Sequence, residues 1–178
     1  MGDRKQFMIT GLRGSGKTTF CQTLIDLLRS AGWDVAGVLS PPVFVNGKKV
    51  GIDVIDLFTN QRKRLANTID QGGDGPKTTM WAFEGGVVSW GNQVLGKIPP
   101  CDFLVVDELG PLEFERREGW INGISAVSDG EYKYAAIVVR PELLEKALRI
   151  WPDAEVIQID DPENAIPLAE DFFRDIFA

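Results

Sequence analysis

The sequence predicts an α/β protein in three layers, with helices on both faces of a mainly parallel sheet and a β-hairpin insertion. Three observations predict it. Short apolar runs rich in β-branched residues alternate along the chain with segments whose apolar residues fall at helical spacing. The first run leads into a glycine-rich stretch that opens a helix, the order in which a βαβ unit begins. A later run, Phe103-Leu104-Val105-Val106, is apolar without a break and ends in Asp107-Glu108, the pattern of a strand buried on both faces with acids at its carboxyl end.

Taken in order, Phe7-Met8-Ile9-Thr10 is the first strand, Gly11-Leu12-Arg13-Gly14-Ser15-Gly16 the loop, and residues 17–30 the first helix, which buries Phe20, Leu24, Leu27 and Leu28. Gly32 closes that helix, and residues 35–39 form a second strand that Pro41-Pro42 stops. Val43-Phe44-Val45, Asn46-Gly47 and residues 48–57 form the hairpin, because Asn-Gly accepts the positive φ values of a type I′ turn. Residues 59–79 are polar, with Gln61-Arg62-Lys63-Arg64 and Gln71-Gly72-Gly73-Asp74-Gly75-Pro76, and read as a mobile loop. Residues 85–95 read as a helix that Gly85, Gly86 and Gly91 weaken. Beyond the acids come a helix over residues 113–127, a buried strand at 134–139, a helix at 141–150, a strand at 155–159 and a closing amphipathic helix at 162–177.

The 178 residues suit one domain spanning 1–178, with no repeat, low-complexity tract or interdomain linker. Nineteen Lys+Arg against 26 Asp+Glu give a net charge of −7, so general nucleic-acid binding and attachment to anionic membranes are not expected. The chain has no histidine, which excludes Ser-His-Asp and Cys-His catalysis and most transition-metal sites. Acid–base chemistry is left to carboxylates, lysines and water. Cys21 and Cys101 lie far apart without a Cys-x-x-Cys pattern and read as two buried thiols in a reducing cytosol. Met1-Gly2-Asp3-Arg4-Lys5-Gln6 leads into an apolar run too short for a signal or a membrane span, and Gln6 spoils a myristoylation pattern. A cytoplasmic location is the expectation.

Gly11-Leu12-Arg13-Gly14-Ser15-Gly16-Lys17-Thr18 satisfies G-x-x-x-x-G-K-[ST] between a strand and a helix, the context a phosphate loop (Walker A) requires. Its glycines let the backbone wrap closely, so that N–H groups from Gly14 to Thr19 face phosphate oxygens at the positive end of the helix. Lys17 would bridge the β- and γ-phosphates, the Thr18 hydroxyl would coordinate Mg²⁺, and Thr19 would touch the α-phosphate. Asp107 is placed as the Walker B acid, holding the same Mg²⁺ through water. Glu108 is the informative residue, because a second carboxylate there orients or deprotonates water for attack on the γ-phosphate; the plainer alternative is a cap of the following turn.

These residues resemble the nucleoside-triphosphatase family of the thermophilic NTPase and cancer-related nucleoside-triphosphatase type. Gly11 to Thr19 resembles its first motif. Val35-Ala36-Gly37-Val38 with Pro42, Gly47, Lys48-Lys49 and Gly51-Ile52-Asp53-Val54 resembles its second strand and hairpin with the G-F-D-V signature. Asp107-Glu108-Leu109-Gly110-Pro111-Leu112-Glu113-Phe114 resembles its D-E-[IL]-G-x-[LM]-E-[LF] block. The resemblance implies a RecA-like P-loop fold and Mg²⁺-dependent hydrolysis of ATP, GTP and other nucleoside triphosphates to diphosphate and phosphate, with loose base selectivity. Two alternatives stay open: a nucleotide or small-molecule kinase, which needs further convergent basic residues, and a nucleotide-binding adaptor with little turnover.

Arg140 departs from the family pattern. It is a candidate to stabilise transition-state charge in cis, or a surface arginine pairing with Glu142 or Glu145. Arg62-Lys63-Arg64 is read as a solvated loop in preference to a triphosphate clamp, and Arg116 and Arg117 are undecided. The Arg13 side chain is expected to point away from the phosphate cradle. Trp81, Phe83 and Trp90 are read as core in preference to a base-stacking surface.

Overall fold

Nine strands form a single sheet in the computed structural model, which describes residues 4–177. In chain order they are β1 (Lys5–Thr10), β2 (Val35–Leu39), β3 (Pro42–Val45), β4 (Lys48–Asp56), β5 (Arg62–Thr68), β6 (Trp81–Phe83), β7 (Cys101–Leu109), β8 (Tyr132–Val139) and β9 (Glu155–Gln158). The helices are α1 (Lys17–Ser30), α2 (Gly85–Leu95), α3 (Ile121–Asp129), α4 (Leu144–Ile150) and α5 (Ala165–Phe177). The reading of the N-terminal segment at residues 1–3 lies outside the described residues. No helix among them is long and apolar enough to cross a membrane.

The sheet runs β6-β5-β4-β2-β7-β8-β1-β9, with β3 paired on β4. Strands β2, β7, β8, β1 and β9 are parallel, whereas β3, β4, β5 and β6 join through antiparallel pairs. The parallel strands are buried on both faces because their side chains alternate between two apolar layers. In β7, Leu104 and Val106 enter one cluster with Ile137, Trp120 and Val127, while Phe103 and Val105 enter the other with Phe20, Leu24 and Leu28 of α1. Helices α1 and α5 therefore cover one face, and α2, α3 and α4 the other. Phe172 meets Phe7 edge to face at 4.9 Å and Phe177 meets Tyr134 at 5.0 Å, which fixes α5 over the end of the sheet.

The antiparallel part is larger than the hairpin the sequence predicts, and the mobile loop expected over residues 59–79 is corrected. Residues 62–68 are β5, paired with both β4 and β6. They carry charge and still form a strand because Leu65 and Ala66 are buried and because Arg62 and Arg64 both donate to Asp53 across the pair at 2.7 Å. The helix expected over 113–127 is also divided. A π turn at Leu112–Arg116 ends where Arg117 adopts φ 55°, and α3 starts afresh at Ile121.

Gly37 of β2 shows how closely β2 and β7 approach. A Cβ built there would lie 1.9 Å from the Val105 carbonyl oxygen, and its φ is +109°. Gly37→Ala is expected to cost at least about 2 kcal/mol of stability, read as a lowered midpoint in urea unfolding. An unchanged midpoint would contradict that packing.

Candidate active site

The carboxyl end of β1 turns directly into the phosphate loop. Gly16 takes φ +97°, and a Cβ there would come within 2.8 Å of the Ala165 side chain, so the loop packs on the start of α5 at a distance that only glycine allows. Lys17 is buried and its Nζ donates to the carbonyls of Gly11 at 2.8 Å and Leu12 at 2.9 Å, which holds the ammonium beneath the loop. Ser15 Oγ is buried with no hydrogen-bond partner, an unsatisfied hydroxyl in the loop itself. Leu12, Arg13, Gly14 and Thr19 form the exposed rim. An unpaired buried hydroxyl, a trapped ammonium and a helix amino end suit a phosphate chain.

The acids come from β7, which lies between β2 and β8. Asp107 is buried. Its Oδ2 accepts from Thr18 Oγ1 at 3.0 Å and from the Ser40 amide at 3.2 Å. Burial, and then the charge of Glu108, push its carboxyl up to about 7, against the opposing effects of the Ser40 amide, the Thr18 hydroxyl and Lys17. A hydroxyl beside a carboxylate that is costly to ionise alone is a hard-oxygen pair that fits Mg²⁺. Among the described residues no group of three His, Cys, Asp or Glu side chains is gathered for a metal, so phosphates and water would complete the coordination.

Glu108 follows, half-buried, and its Oε1 accepts from Arg140 Nε at 2.7 Å. Arg140 stands at the end of β8, which runs beside β7 with Leu109 opposite Val139, so adjacent strand ends deliver the pair. Neither Glu142 nor Glu145 takes Arg140; Glu145 pairs with Arg149. Glu113, buried in the next turn, accepts from the Gly110 amide at 2.7 Å and the Trp120 amide at 2.6 Å, and burial pushes its carboxyl up to about 7. It ties together the turn that leaves Glu108.

The remaining sequence candidates divide. Arg62 and Arg64 are committed to Asp53, and Arg116 to Glu118 and the Lys77 carbonyl. Phe83 and Trp90 pack against the core, with Lys63 4.5 Å over the Trp90 ring. Trp81 is buried but belongs to neither core cluster. Arg13 lies over its ring at 5.7 Å and contacts Met80. Ser40, Glu113 and Lys49 are positions to which the sequence reading gave no role. Ser40 had one available signal, as the residue after the strand that pairs with the acid-bearing strand. Glu113 had its place in the D-E-x-G block, and Lys49 had none beyond its place in the hairpin.

A strand, a phosphate loop and a helix, with two carboxylates at the end of a parallel strand one strand removed, define a P-loop protein of the three-layer α/β class. The model of the NTPase family matches residues 6–167, and the chain belongs to that family. Nucleoside-triphosphatase THEP1 of Methanothermobacter thermautotrophicus is 31% identical over 115 residues, 64% of each chain. The THEP1 protein of Korarchaeum cryptofilum is 28% identical over 171 residues, 89% of this chain and 82% of its own. The chain spans 60–66% of the length of the first four curated relatives it matches. The solution structure of a human cancer-related nucleoside triphosphatase superposes with a TM-score of 0.72 at 22% identity over 98% of each chain. The crystal structure of THEP1 from Aquifex aeolicus gives 0.62 at 16% identity over 97% of this chain and 99% of its own. At these identities the two likenesses establish the fold.

Proposed function

We propose that the protein hydrolyses nucleoside triphosphates, ATP and GTP among them, to nucleoside diphosphate and phosphate with Mg²⁺ as the required cation, and that residues 1–178 act as one domain. The observation that carries the reading is the contact of Thr18 Oγ1 with Asp107 Oδ2 at 3.0 Å, which joins the phosphate loop to the acids of β7. In this reading the loop from Gly11 to Thr19, including Leu12, Arg13, Gly14, Ser15 and Gly16, wraps the phosphates, and Lys17 neutralises them. Thr18 and Asp107 would hold the cation, which would supply positive charge to offset that of the phosphates.

Glu108 acts as the base. The water oxygen bonds to the γ-phosphorus as the bond from that phosphorus to the bridging oxygen breaks. The electron pair leaves with the diphosphate, and the water proton passes through Glu108 to solvent. Arg140, which donates to Glu108 Oε1 at 2.7 Å, is a positioning residue in this scheme.

Water is favoured over a second substrate as acceptor because, of the cations a kinase site would recruit, Arg62, Arg64 and Arg116 already sit in ion pairs and Lys63 lies over the Trp90 ring. The net charge of −7 fits a protein that avoids nucleic acid and anionic membranes, and the two free cysteines fit a cytoplasmic location. Phosphate release from ATP, GTP, CTP and UTP, with and without chelation of Mg²⁺, tests the reading. Release from several triphosphates is expected, abolished by chelation and lowered about 10- to 100-fold in Asp107→Asn. Tight nucleotide binding without release would point instead to an adaptor, and release unaffected by chelation would remove the metal from the scheme.

A further inference from the structure

Strands β2 and β3 are nearly continuous, interrupted at Ser40-Pro41, and both pair antiparallel with β4. Only Ile55 and Asp56 of β4 lie beside β2, whose last residue, Leu39, faces Ile55. The part of β4 from Lys48 to Ile52 pairs with β3 instead, beyond the carboxyl end of β2. At about 3.4 Å per residue this arm extends roughly 17 Å past the strand ends where Asp107 and the phosphate loop meet. Lys49 stands near its tip.

Lys49 Nζ lies 4.9 Å from the centre of the Trp81 ring, the same ring over which Arg13 of the phosphate loop lies at 5.7 Å. The arm and the loop are thus pinned to one aromatic side chain. Among the described residues, Lys49 pairs with no carboxylate, although it is half-buried. Other cations in this region are engaged: Arg62 and Arg64 with Asp53, Arg140 with Glu108, and Lys17 with two loop carbonyls. Burial, followed by the charge of Arg13, lowers the Lys49 pKa, while Glu108 and Asp107 are close enough to pull it upward. An ammonium held over the Trp81 ring beside Arg13 of the phosphate loop, without an ion-pair partner among the described residues, gains from an incoming anion.

From this placement we propose that Lys49 is a second catalytic lysine, which reaches from the hairpin arm to the γ-phosphate and stabilises the charge that develops as the phosphoryl group passes to water. Trp81 seats it, and the arm supplies in cis a cation of the kind other phosphoryl-transfer sites take from a partner. The inference rests on the hydrolase reading above.

The test separates the two. Calorimetric titration with ADP and with a non-hydrolysable β,γ-imido ATP, each with Mg²⁺, is compared for wild type, Lys49→Ala and Lys49→Arg, beside phosphate release from ATP. Lys49→Ala is expected to weaken the triphosphate analogue about 10-fold with ADP affinity within about twofold of wild type, and to lower kcat about 100-fold. Lys49→Arg should recover at least about a tenth of wild-type kcat, which loss of hairpin structure alone would not allow. Equal weakening of ADP and analogue, or wild-type kcat in Lys49→Ala, overturns the inference. If Lys49→Ala does not fold, Lys49→Gln takes its place with the same expectations. If wild type binds both nucleotides and releases no phosphate, the hydrolase reading fails, and the difference between ADP and analogue still decides whether Lys49 meets the γ-phosphate.

Discussion

Glu108→Gln is expected to keep nucleotide affinity within a few-fold of wild type and to lower turnover about 10³-fold. The amide preserves the size of the side chain and can still accept from Arg140 Nε, so the pairing at the ends of β7 and β8 survives. What the amide lacks is a lone pair basic enough to take the proton of the attacking water. The ground state is therefore little altered and the loss falls on the chemical step. Nucleotide titration and phosphate release on the same preparation read the two quantities. A Gln variant as active as wild type would show that Glu108 only caps the turn tied by Glu113.

Lys17→Ala is expected to weaken both ADP and ATP by about 10²-fold or more and to abolish measurable hydrolysis. The ammonium sits beneath the loop on the carbonyls of Gly11 and Leu12, and among the described residues no other lysine or arginine donates to them. Its removal also takes away a charge that holds the Asp107 carboxyl down, so Asp107 becomes still harder to ionise and a poorer cation ligand. The two variants thus differ in kind. Lys17→Ala fails at binding, Glu108→Gln after it, and wild-type ADP affinity in Lys17→Ala would contradict the placement of the phosphates.

The parallel half of the fold was legible because its signals are local. The apolar runs at β1, β2, β7 and β8 have the length and β-branched content of buried strands, and Asn46-Gly47 marks its own turn. The phosphate loop and the acid pair were legible for the same reason, since each is a contiguous string whose chemistry requires that order. The strand β5 was not, because what makes Arg62-Lys63-Arg64 a strand is Asp53, nine to eleven residues away on the partner strand. The division of the 113–127 segment was hidden in the same way. Glu113 binds the Gly110 and Trp120 amides, and that closure is a property of the folded turn.

Arg140 shows the limit most clearly. Its strand position suggested a cation for transition-state charge or a pair with Glu142 or Glu145, and the carboxylate it meets is Glu108 at the end of the neighbouring strand. Lys49 carries no signal beyond its place in the hairpin, and only the folded chain brings it to the Trp81 ring that Arg13 of the phosphate loop also meets.

The most direct test of the central claim, that water is the acceptor at the γ-phosphorus, is hydrolysis of Mg·ATP in ¹⁸O-labelled water with mass analysis of both products after a single turnover. The expected result is one labelled oxygen in the phosphate and none in the ADP. Label in ADP, or loss of the γ-phosphoryl group to an acceptor with no labelled phosphate formed, would contradict attack by water at that atom and with it the role assigned to Glu108.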